Sequence, residues 1–174
     1  MERACSERDR VQAARDRAQA AIDREASEID ELTRVRRRGA GMAQLQREID
    51  RARRGREGLV VAFVDVDGLK RVNDSRGHHA GDLLLQAVAD ALRAGLRSYD
   101  VIMRIGGDEF ACVLPQAEMD DVRRRFSEVS RTLARKAAES SITVGFALLA
   151  DEDSAQSLVN RADEDLLASR RRRC

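Results

Sequence analysis

The chain has 174 residues, which is enough for one ordinary domain and a short appendage. Its 32 basic residues nearly balance its 31 acidic residues, and the net charge of +1 argues against a nucleic-acid or membrane-surface partner. The three cysteines are scattered, which argues against a disulfide framework or a zinc site. The N-terminus is too charged for a signal peptide and no apolar run can span a bilayer, so we expect a cytoplasmic protein.

Residues 1–29 contain no glycine or proline and are rich in Ala, Arg, Glu and Asp. A narrow apolar stripe at helical spacing begins in this segment and consists of Val11, Ala18, Ile22, Ile29 and Leu32. Because such a stripe buries little surface in a single helix, we predict that it pairs with a second copy as a coiled coil and makes a homodimer. The alternative is a solvated single helix or a frayed tail.

From residue 30 to 174, helical and strand patterns alternate. The predicted helices each carry an apolar face, formed by Met42, Leu45, Ile49 and Ala52; by Leu85, Val88, Leu92 and Leu96, beginning near Ala80; by Val122, Phe126, Val129 and Leu133 over 119–138; and by Leu158, Ala162 and Leu166. The predicted strands read LVVAFVDVD, VIMRI, FACVL and SITVGFALL, and a polar turn follows the first of them. This order predicts an α+β fold with a mixed sheet and helices packed around it.

Acidic residues stand at two predicted strand ends. Asp65 and Asp67 close the first strand, and side-chain alternation places both on the same face of the sheet. Asp108 and Glu109 lie at the tip of the central hairpin, so they can converge with Asp65 if the two strands are neighbours. Magnesium prefers such oxygen ligands and usually takes one or two carboxylates together with substrate phosphates. The alternative is an acidic turn that simply faces water.

Gly106 and Gly107 precede the acidic turn; because they lack Cβ atoms, they allow positive φ and let a bulky anionic ligand lie against the backbone. Farther back, Lys70, Asn73 and Asp82 follow the first acidic strand. An amide and a carboxylate together can bind a guanine base, and a lysine can meet a phosphate. The alternatives are that Asp82 caps a helix and that Lys70 is solvated. Together these residues indicate a nucleotide site.

The residues resemble the GGDEF family of diguanylate cyclases. The signature itself is intact at 106–110, and the family pattern DxDxxKxxND…GHxxGD is present from Asp65 to Asp82. The opening pattern DxLTGLxNR survives partly in DELTRVRRR, where Arg34 and Arg37 replace Gly and Asn, and TVGFA and RADEDLL match two later motifs. The resemblance covers residue 30 to the end of the sequence. It implies a palm-type fold like that of nucleotidyl cyclases.

The resemblance also implies an activity, in which a nucleotidyltransferase condenses two GTP molecules into cyclic di-GMP and releases two pyrophosphates. Each subunit holds one GTP, so catalysis requires two domains that face each other. By position, Asp65, Asp108 and the Val66 carbonyl would hold two Mg²⁺ or Mn²⁺ ions per active site. Glu109 would help with metal binding or with activation of the 3′-hydroxyl.

The same resemblance assigns substrate-binding roles. Asn73 and Asp82 would hold guanine, Lys70 would meet the terminal phosphates, and Gly106 and Gly107 would line the nucleotide. Two positions depart from the family, since Arg170 stands where it has a phosphate-binding Lys, and Cys174 stands where it has an Arg. Arg170 is the candidate phosphate ligand at its position.

A second family element is Arg97 with Asp100, which end five residues before the first glycine of the signature. This is the spacing of the RxxD site that binds cyclic di-GMP as a product inhibitor. The alternative is that an arginine and an aspartate simply lie near a helix end.

Two other functions compete with the cyclase. One is a catalytically weak or inactive domain that acts as a receptor for GTP or cyclic di-GMP. The other is a coiled-coil scaffold that binds nucleic acid, which rests on the arginine-rich C-terminal tail alone.

Overall fold

The computed structural model describes residues 28–136 and 140–172. Its strands are β1 (Arg36–Arg37), β2 (Leu59–Asp67), β3 (Val101–Arg104), β4 (Glu109–Pro115) and β5 (Ser141–Leu148); its helices are α1 (Arg38–Gly55), α2 (Leu69–Arg76), α3 (His78–Gly95), α4 (Met119–Lys136) and α5 (Ala155–Arg171). The strands form one sheet in the order β1-β3-β4-β2-β5. The β1–β3 pair is parallel and the other neighbours are antiparallel, which confirms the predicted mixed sheet surrounded by helices.

Both faces of the sheet are buried, as the unbroken apolar run of β2 predicts. Helices α3 and α4 cover one face, where Val64 and Phe110 pack with Leu92. Helices α1 and α5 cover the other face, where Phe63 packs with a cluster that includes Ile49. The side chains of β2 alternate between the two clusters. Near the end of this strand, Val66 therefore points to the α3–α4 side, and Asp65 and Asp67 point to the α1–α5 side.

Helix α5 approaches the sheet closely at Gly145. A Cβ atom there would lie 2.1 Å from the backbone nitrogen of Leu166 and 2.2 Å from the carbonyl oxygen of Ala162. A side chain of any size would therefore push the helix backbone away, and this explains the glycine of the TVGFA motif. The close approach holds the C-terminal turn of α5 near the end of β2.

The outer strand β5 forms hydrogen bonds with α5 along its outward edge. The Phe146 N–H group donates to Oδ2 of Asp165 over 2.9 Å, and Nη1 of Arg161 donates to the Leu148 carbonyl oxygen over 3.0 Å. Both side chains belong to the RADEDLL segment. That motif therefore fixes the last helix along the outer strand.

Two elements differ from the sequence prediction. The predicted polar turn after β2 is helix α2, which has no buried residue and so leaves no apolar pattern in the sequence. Strand β1 is a two-residue pair of arginines and has no apolar pattern either. Helix α3 begins at His78 rather than near residue 80, after Gly77 with φ of 82°.

The predicted N-terminal helix falls almost entirely on residues 1–27, which lie outside the described residues, as do positions 137 and 138 of the predicted helix over 119–138. The end of the predicted apolar stripe is not helical, because Ile29 forms a bridge with Arg36 and Leu32 lies in a turn. In the part of the chain that the structure describes, no helix is both long enough and apolar enough to cross a membrane.

Candidate active site

The carboxylate edge, which we define as Asp65, Asp67, Asp108 and Glu109, lies where β2 ends and β4 begins. Asp65 and Glu109 are direct cross-strand partners and therefore share the face covered by α1 and α5. The Val66 N–H group donates to the Asp108 carbonyl oxygen over 3.0 Å, which holds the hairpin tip against the end of β2. The structure thus brings together the acids that the sequence placed at two separate strand ends.

Asp65 and Asp67 share a face but have different partners. Oδ1 of Asp67 accepts a hydrogen bond from Oγ1 of Thr143 over 2.8 Å, and its Oδ2 accepts one from Oγ of Ser141 over 2.7 Å. Asp65 instead forms an ion pair with the guanidinium of Arg170. Asp67 is therefore bound to β5, whereas Asp65 is held by a group on the last helix.

Negative charge is crowded at this edge. Burial raises the pKa of Asp65, an increase that Arg170 opposes and Asp108 adds to. Burial likewise raises the pKa of Glu109, and the charges of Asp108, Asp65 and Asp163 raise it further. Each raised pKa means that the ionised carboxylate is disfavoured at its site, so a cation placed there is stabilised.

Gly106 and Gly107 do not use the positive φ that glycine allows, because the described glycines with positive φ are Gly68 and Gly77. Gly106 has a different reason to be glycine, since a Cβ atom there would lie 2.9 Å from Oε2 of Glu109. A Cβ atom at Gly107 would meet nothing within 4 Å. The two glycines leave room at the hairpin tip because they lack side chains and not because their backbone is left-handed.

Arg104 holds the glycine loop, Gly106 and Gly107, through hydrogen bonds to its carbonyl oxygens. Its Nε donates to the Gly106 carbonyl oxygen over 3.1 Å, its Nη2 to the Gly107 carbonyl oxygen over 2.7 Å, and its Nη1 to Oδ1 of Asp30 over 3.1 Å. Sequence reasoning missed this residue; its signal is a charged residue at the end of an apolar strand, directly before the glycines.

Asp30 connects this arginine to the first turn of the described chain. Its Oδ1 also accepts hydrogen bonds from the backbone nitrogen and the Oγ1 of Thr33, over 2.9 and 2.6 Å. Burial opposes ionisation here, but the bonds from Thr33 and Arg104 outweigh it and lower the pKa of Asp30. The DELT segment and the glycine loop are therefore joined by one ionised carboxylate.

An open cleft follows β2 and is lined by Gly68, Lys70, Arg71, Asp74 and Ser75, with a volume of about 590 Å³. Lys70 is exposed in this cleft, so its ammonium group is available to an anionic ligand. The structure places the predicted phosphate ligand one short loop after the carboxylate edge.

Asn73 and Asp82 lie on consecutive helices. Oδ1 of Asn73 is buried without a hydrogen-bond partner, and a Cβ atom at Gly81 would lie 1.9 Å from it. Asp82 is exposed in the second turn of α3, whose N-cap is Gly77, so the capping alternative for Asp82 is wrong. An unpaired buried amide oxygen is costly unless a ligand or water satisfies it, which is compatible with a binding role.

The predicted pair Arg97 and Asp100 belongs to a larger group. Oδ2 of Asp100 accepts a hydrogen bond from the Arg97 backbone nitrogen over 2.7 Å and one from Nη1 of Arg125 over 3.4 Å. The Asp100 side chain is 0% exposed and its Oδ1 has no partner. Burial raises the pKa of Asp100.

Sequence reasoning missed Arg125 and Asp121, both on α4. Asp121 forms ion pairs with Arg125 and, over 3.4 Å, with Arg97. We call Arg97, Asp100, Asp121 and Arg125 the arginine cluster. Arg97 and Asp100 of this cluster precede β3, whereas Gly106 and Gly107 follow that four-residue strand. The arginine cluster and the glycine loop are therefore about 13 Å apart along β3.

Within residues 28–136 and 140–172, no group of three or more His, Cys, Asp or Glu side chains can hold a metal ion by itself. A magnesium ion that arrives with a nucleotide needs only one or two carboxylates and takes its other ligands from phosphates and water. Asp65 and Asp108 fit such an ion, and Arg170 already places positive charge against one of them.

Comparison with known proteins agrees with this geometry. The family described as "Diguanylate cyclase, GGDEF domain" matches residues 27–173. The chain belongs to the GGDEF family. This GGDEF chain is 34% identical over 149 residues to diguanylate cyclase DgcP of Pseudomonas aeruginosa, a match that covers 82% of the chain and 22% of DgcP. It thus spans less than a quarter of that relative's length.

Two solved structures are similar to this GGDEF chain. The coiled coil and GGDEF domain of DgcB from Caulobacter crescentus, in complex with c-di-GMP, superimposes with a TM-score of 0.85 at 25% identity and covers 94% of this chain and 91% of that one. Diguanylate cyclase SiaD from Pseudomonas aeruginosa, in complex with its activator SiaC, gives a TM-score of 0.79 at 32% identity, covering 98% and 68%.

Proposed function

We propose that the chain is the catalytic domain of a diguanylate cyclase. In this reaction the 3′-oxygen of one GTP attacks the α-phosphorus of another, the bond to the β-phosphate breaks, and pyrophosphate leaves. The second, reciprocal attack closes the ring of cyclic di-GMP. The observation that supports this most strongly is the cross-strand pair of Asp65 and Glu109 beside an intact GGDEF turn.

Asp65 and Asp108, with the Val66 carbonyl, are the proposed ligands of two Mg²⁺ or Mn²⁺ ions. Metal bound there would polarise the α-phosphate and lower the pKa of the attacking 3′-hydroxyl. Glu109 shares the face of Asp65 and has a raised pKa, so it is suited to accept a proton or to complete the metal site. Asp67 is not assigned to the metal, because each of its oxygens already accepts a hydrogen bond from a hydroxyl group of β5.

Substrate binding is assigned to the residues around this edge. Lys70 and Arg170 would pair with the triphosphate as cations, and Gly106 and Gly107 leave room for it. Asn73, whose Oδ1 lacks a partner, and exposed Asp82 would hold guanine through its polar edge.

Product inhibition is assigned to the arginine cluster. Arg97 and Asp100 would bind cyclic di-GMP, and Arg125 adds a second guanidinium beside Asp100. Guanidinium groups suit both the phosphates and the guanine faces of such a ligand.

Catalysis across two facing domains requires a homodimer, and we assign its formation to the N-terminal segment at 1–29. The apolar stripe of that segment supports this proposal, and so does the similarity to the DgcB structure, which contains a coiled coil. Charged residues in place of Ile22 should lower dimerisation and activity together, and an active monomer would contradict the assignment.

The test is incubation of the protein with GTP and Mg²⁺, followed by chromatography of the nucleotides. We expect cyclic di-GMP from the wild type and from Asp50→Ala, and none from Asp108→Ala. Asp50 is a matched control because it is an exposed aspartate on α1 that accepts a hydrogen bond only from its helix neighbour Gln46 in the described contacts. No product and no nucleotide binding would reject the proposal.

The second candidate is a receptor that binds GTP or cyclic di-GMP without turnover. The ion pair between Arg170 and Asp65 favours it, because a proposed metal ligand already has a cationic partner. Binding of cyclic di-GMP without synthesis, in the same chromatography, would identify the receptor.

A further inference from the structure

Arg170 contacts the carboxylate edge directly. Its Nη2 hydrogen-bonds Oδ1 of Asp65 and lies 3.8 Å from Oδ1 of Asp67. The Asp65 side chain is 13% exposed, so this ion pair is partly buried. Arg170 stands in the last turn of α5, which Gly145 holds close to the sheet.

We infer that Arg170 is the internal counter-ion of the metal site: it neutralises Asp65 while no metal is bound, and a divalent cation must displace it. Because it takes Asp65 as a metal ligand, this role of Arg170 rests on the proposed function.

The competition follows from the partners of the two acids. Asp67 accepts hydrogen bonds from hydroxyl groups of β5 on both oxygens and lies 3.8 Å from Nη2 of Arg170, so it holds the guanidinium more weakly than Asp65 does. Asp65 has Arg170 as its ion-pair partner, and a cation that takes Oδ1 as a ligand occupies the same position as Nη2. Two positive groups on one carboxylate repel each other, so each lowers the affinity of the other.

The Arg170 side chain is able to leave. It is 42% exposed, and it lies one residue before the end of its helix, so its movement breaks no packing in the core. Once displaced it becomes available to the triphosphate, which is the role assigned to it above. A guanidinium binds a phosphate as readily as a carboxylate, so Arg170 can exchange one partner for the other.

The test uses Mn²⁺ alone, without nucleotide, and measures free Mn²⁺ by electron paramagnetic resonance in titrations of the full chain. Arg170→Gln should tighten Mn²⁺ binding about three- to tenfold, because it removes a competing ion pair that is partly exposed. Arg170→Ser is a second variant, which removes the guanidinium without a side-chain amide that could bind Asp65.

Arg172→Gln is the matched control. It removes the same charge two residues away, from a side chain that is 67% exposed and pairs with Asp165 rather than with the carboxylate edge. We expect it to change the Mn²⁺ affinity by less than about twofold, as for a screened surface charge.

The outcomes separate this role from the proposed function. Equal Mn²⁺ affinities in the wild type and both Arg170 variants, or an equal gain in Arg172→Gln, would overturn the counter-ion role alone. Failure of every variant to bind nucleotide-free Mn²⁺ would also overturn the counter-ion role alone, because the metal site of the proposed function takes part of its ligands from the nucleotide. Tighter binding in a variant that makes no cyclic di-GMP would still support the counter-ion role.

Discussion

The carboxylate edge lies beside the end of β3 and the arginine cluster beside its start, and the two regions balance charge in opposite ways. Among the described ion pairs, the edge holds four carboxylates against one guanidinium, that of Arg170. The cluster pairs two arginines with two aspartates, and Arg124 also pairs with one of these aspartates, Asp121. The edge therefore depends on positive charge from a helix outside the sheet, whereas the cluster contains its own balancing charges.

The largest expected effect is a difference in activity between variants of Asp65 and of Asp67, both in the carboxylate edge. Asp65→Asn should lower the rate of pyrophosphate release about 10³-fold, because it removes a proposed metal ligand. Asp67→Asn should lower the rate much less but reduce the free energy of unfolding by about 1–3 kcal/mol, because Ser141 and Thr143 lose a charged acceptor. Rate assays and urea unfolding of both variants measure this, and equal rate losses would contradict it.

The next effect tests whether the edge depends on the close approach of α5. Gly145→Ala should reduce the free energy of unfolding by about 3 kcal/mol, since the new Cβ atom meets helix backbone. Gly39→Ala is the control, because a Cβ atom at Gly39 meets nothing within 4 Å. Cyclic di-GMP binding should survive in any folded fraction of the first variant, and its selective loss would show that the two sites are not independent.

A smaller effect is expected at the arginine cluster. Arg125→Ala should weaken cyclic di-GMP binding about tenfold, measured by calorimetry, because it removes a guanidinium beside the buried Asp100. Arg124→Ala should leave the affinity nearly unchanged, since that side chain is 74% exposed and contacts Asp121 alone in the described ion pairs. Equal losses in the two variants would mean that total charge, and not the cluster, binds the ligand.

The smallest effect concerns the link between Asp30 and the glycine loop. Because the folded pKa of Asp30 is below its usual value of 3.8, its ionised form stabilises the protein above that pH, and this contribution disappears as the pH falls through the folded pKa. Asp30→Asn should therefore lower the free energy of unfolding by about 1 kcal/mol at pH 7. Thermal unfolding across pH 2–7 should show the two proteins converging at the acid end, and a constant difference would contradict the linkage.

The sequence predicted the parts of the fold that bury apolar surface. The unbroken run LVVAFV predicts a strand buried on both faces, and the stripes of α3, α4 and α5 repeat at the helical period, so the type of each element follows from its packing. Helix α2 and strand β1 bury little, and no apolar pattern marks them.

The residues of the candidate site were likewise predicted only in part. Motif spacing placed Asp65 and the GGDEF turn correctly, because both belong to strands whose register the core determines. Arg104 and Arg125 were missed because their roles come from tertiary contacts with residues 74 and 25 positions away, which local patterns do not encode. Arg34 stands where the family has Gly, and its φ is 57°. This positive φ is a property of the backbone that the sequence pattern did not predict.

The hydrogen bonds that Arg161 and Asp165 form with β5 also bear on assembly. An outer strand with free N–H and carbonyl groups can recruit a strand from another molecule, which leads to sheet extension and aggregation. Here Phe146 and Leu148 have part of that edge occupied by charged side chains of their own chain. These contacts therefore disfavour the joining of two copies through their outer strands.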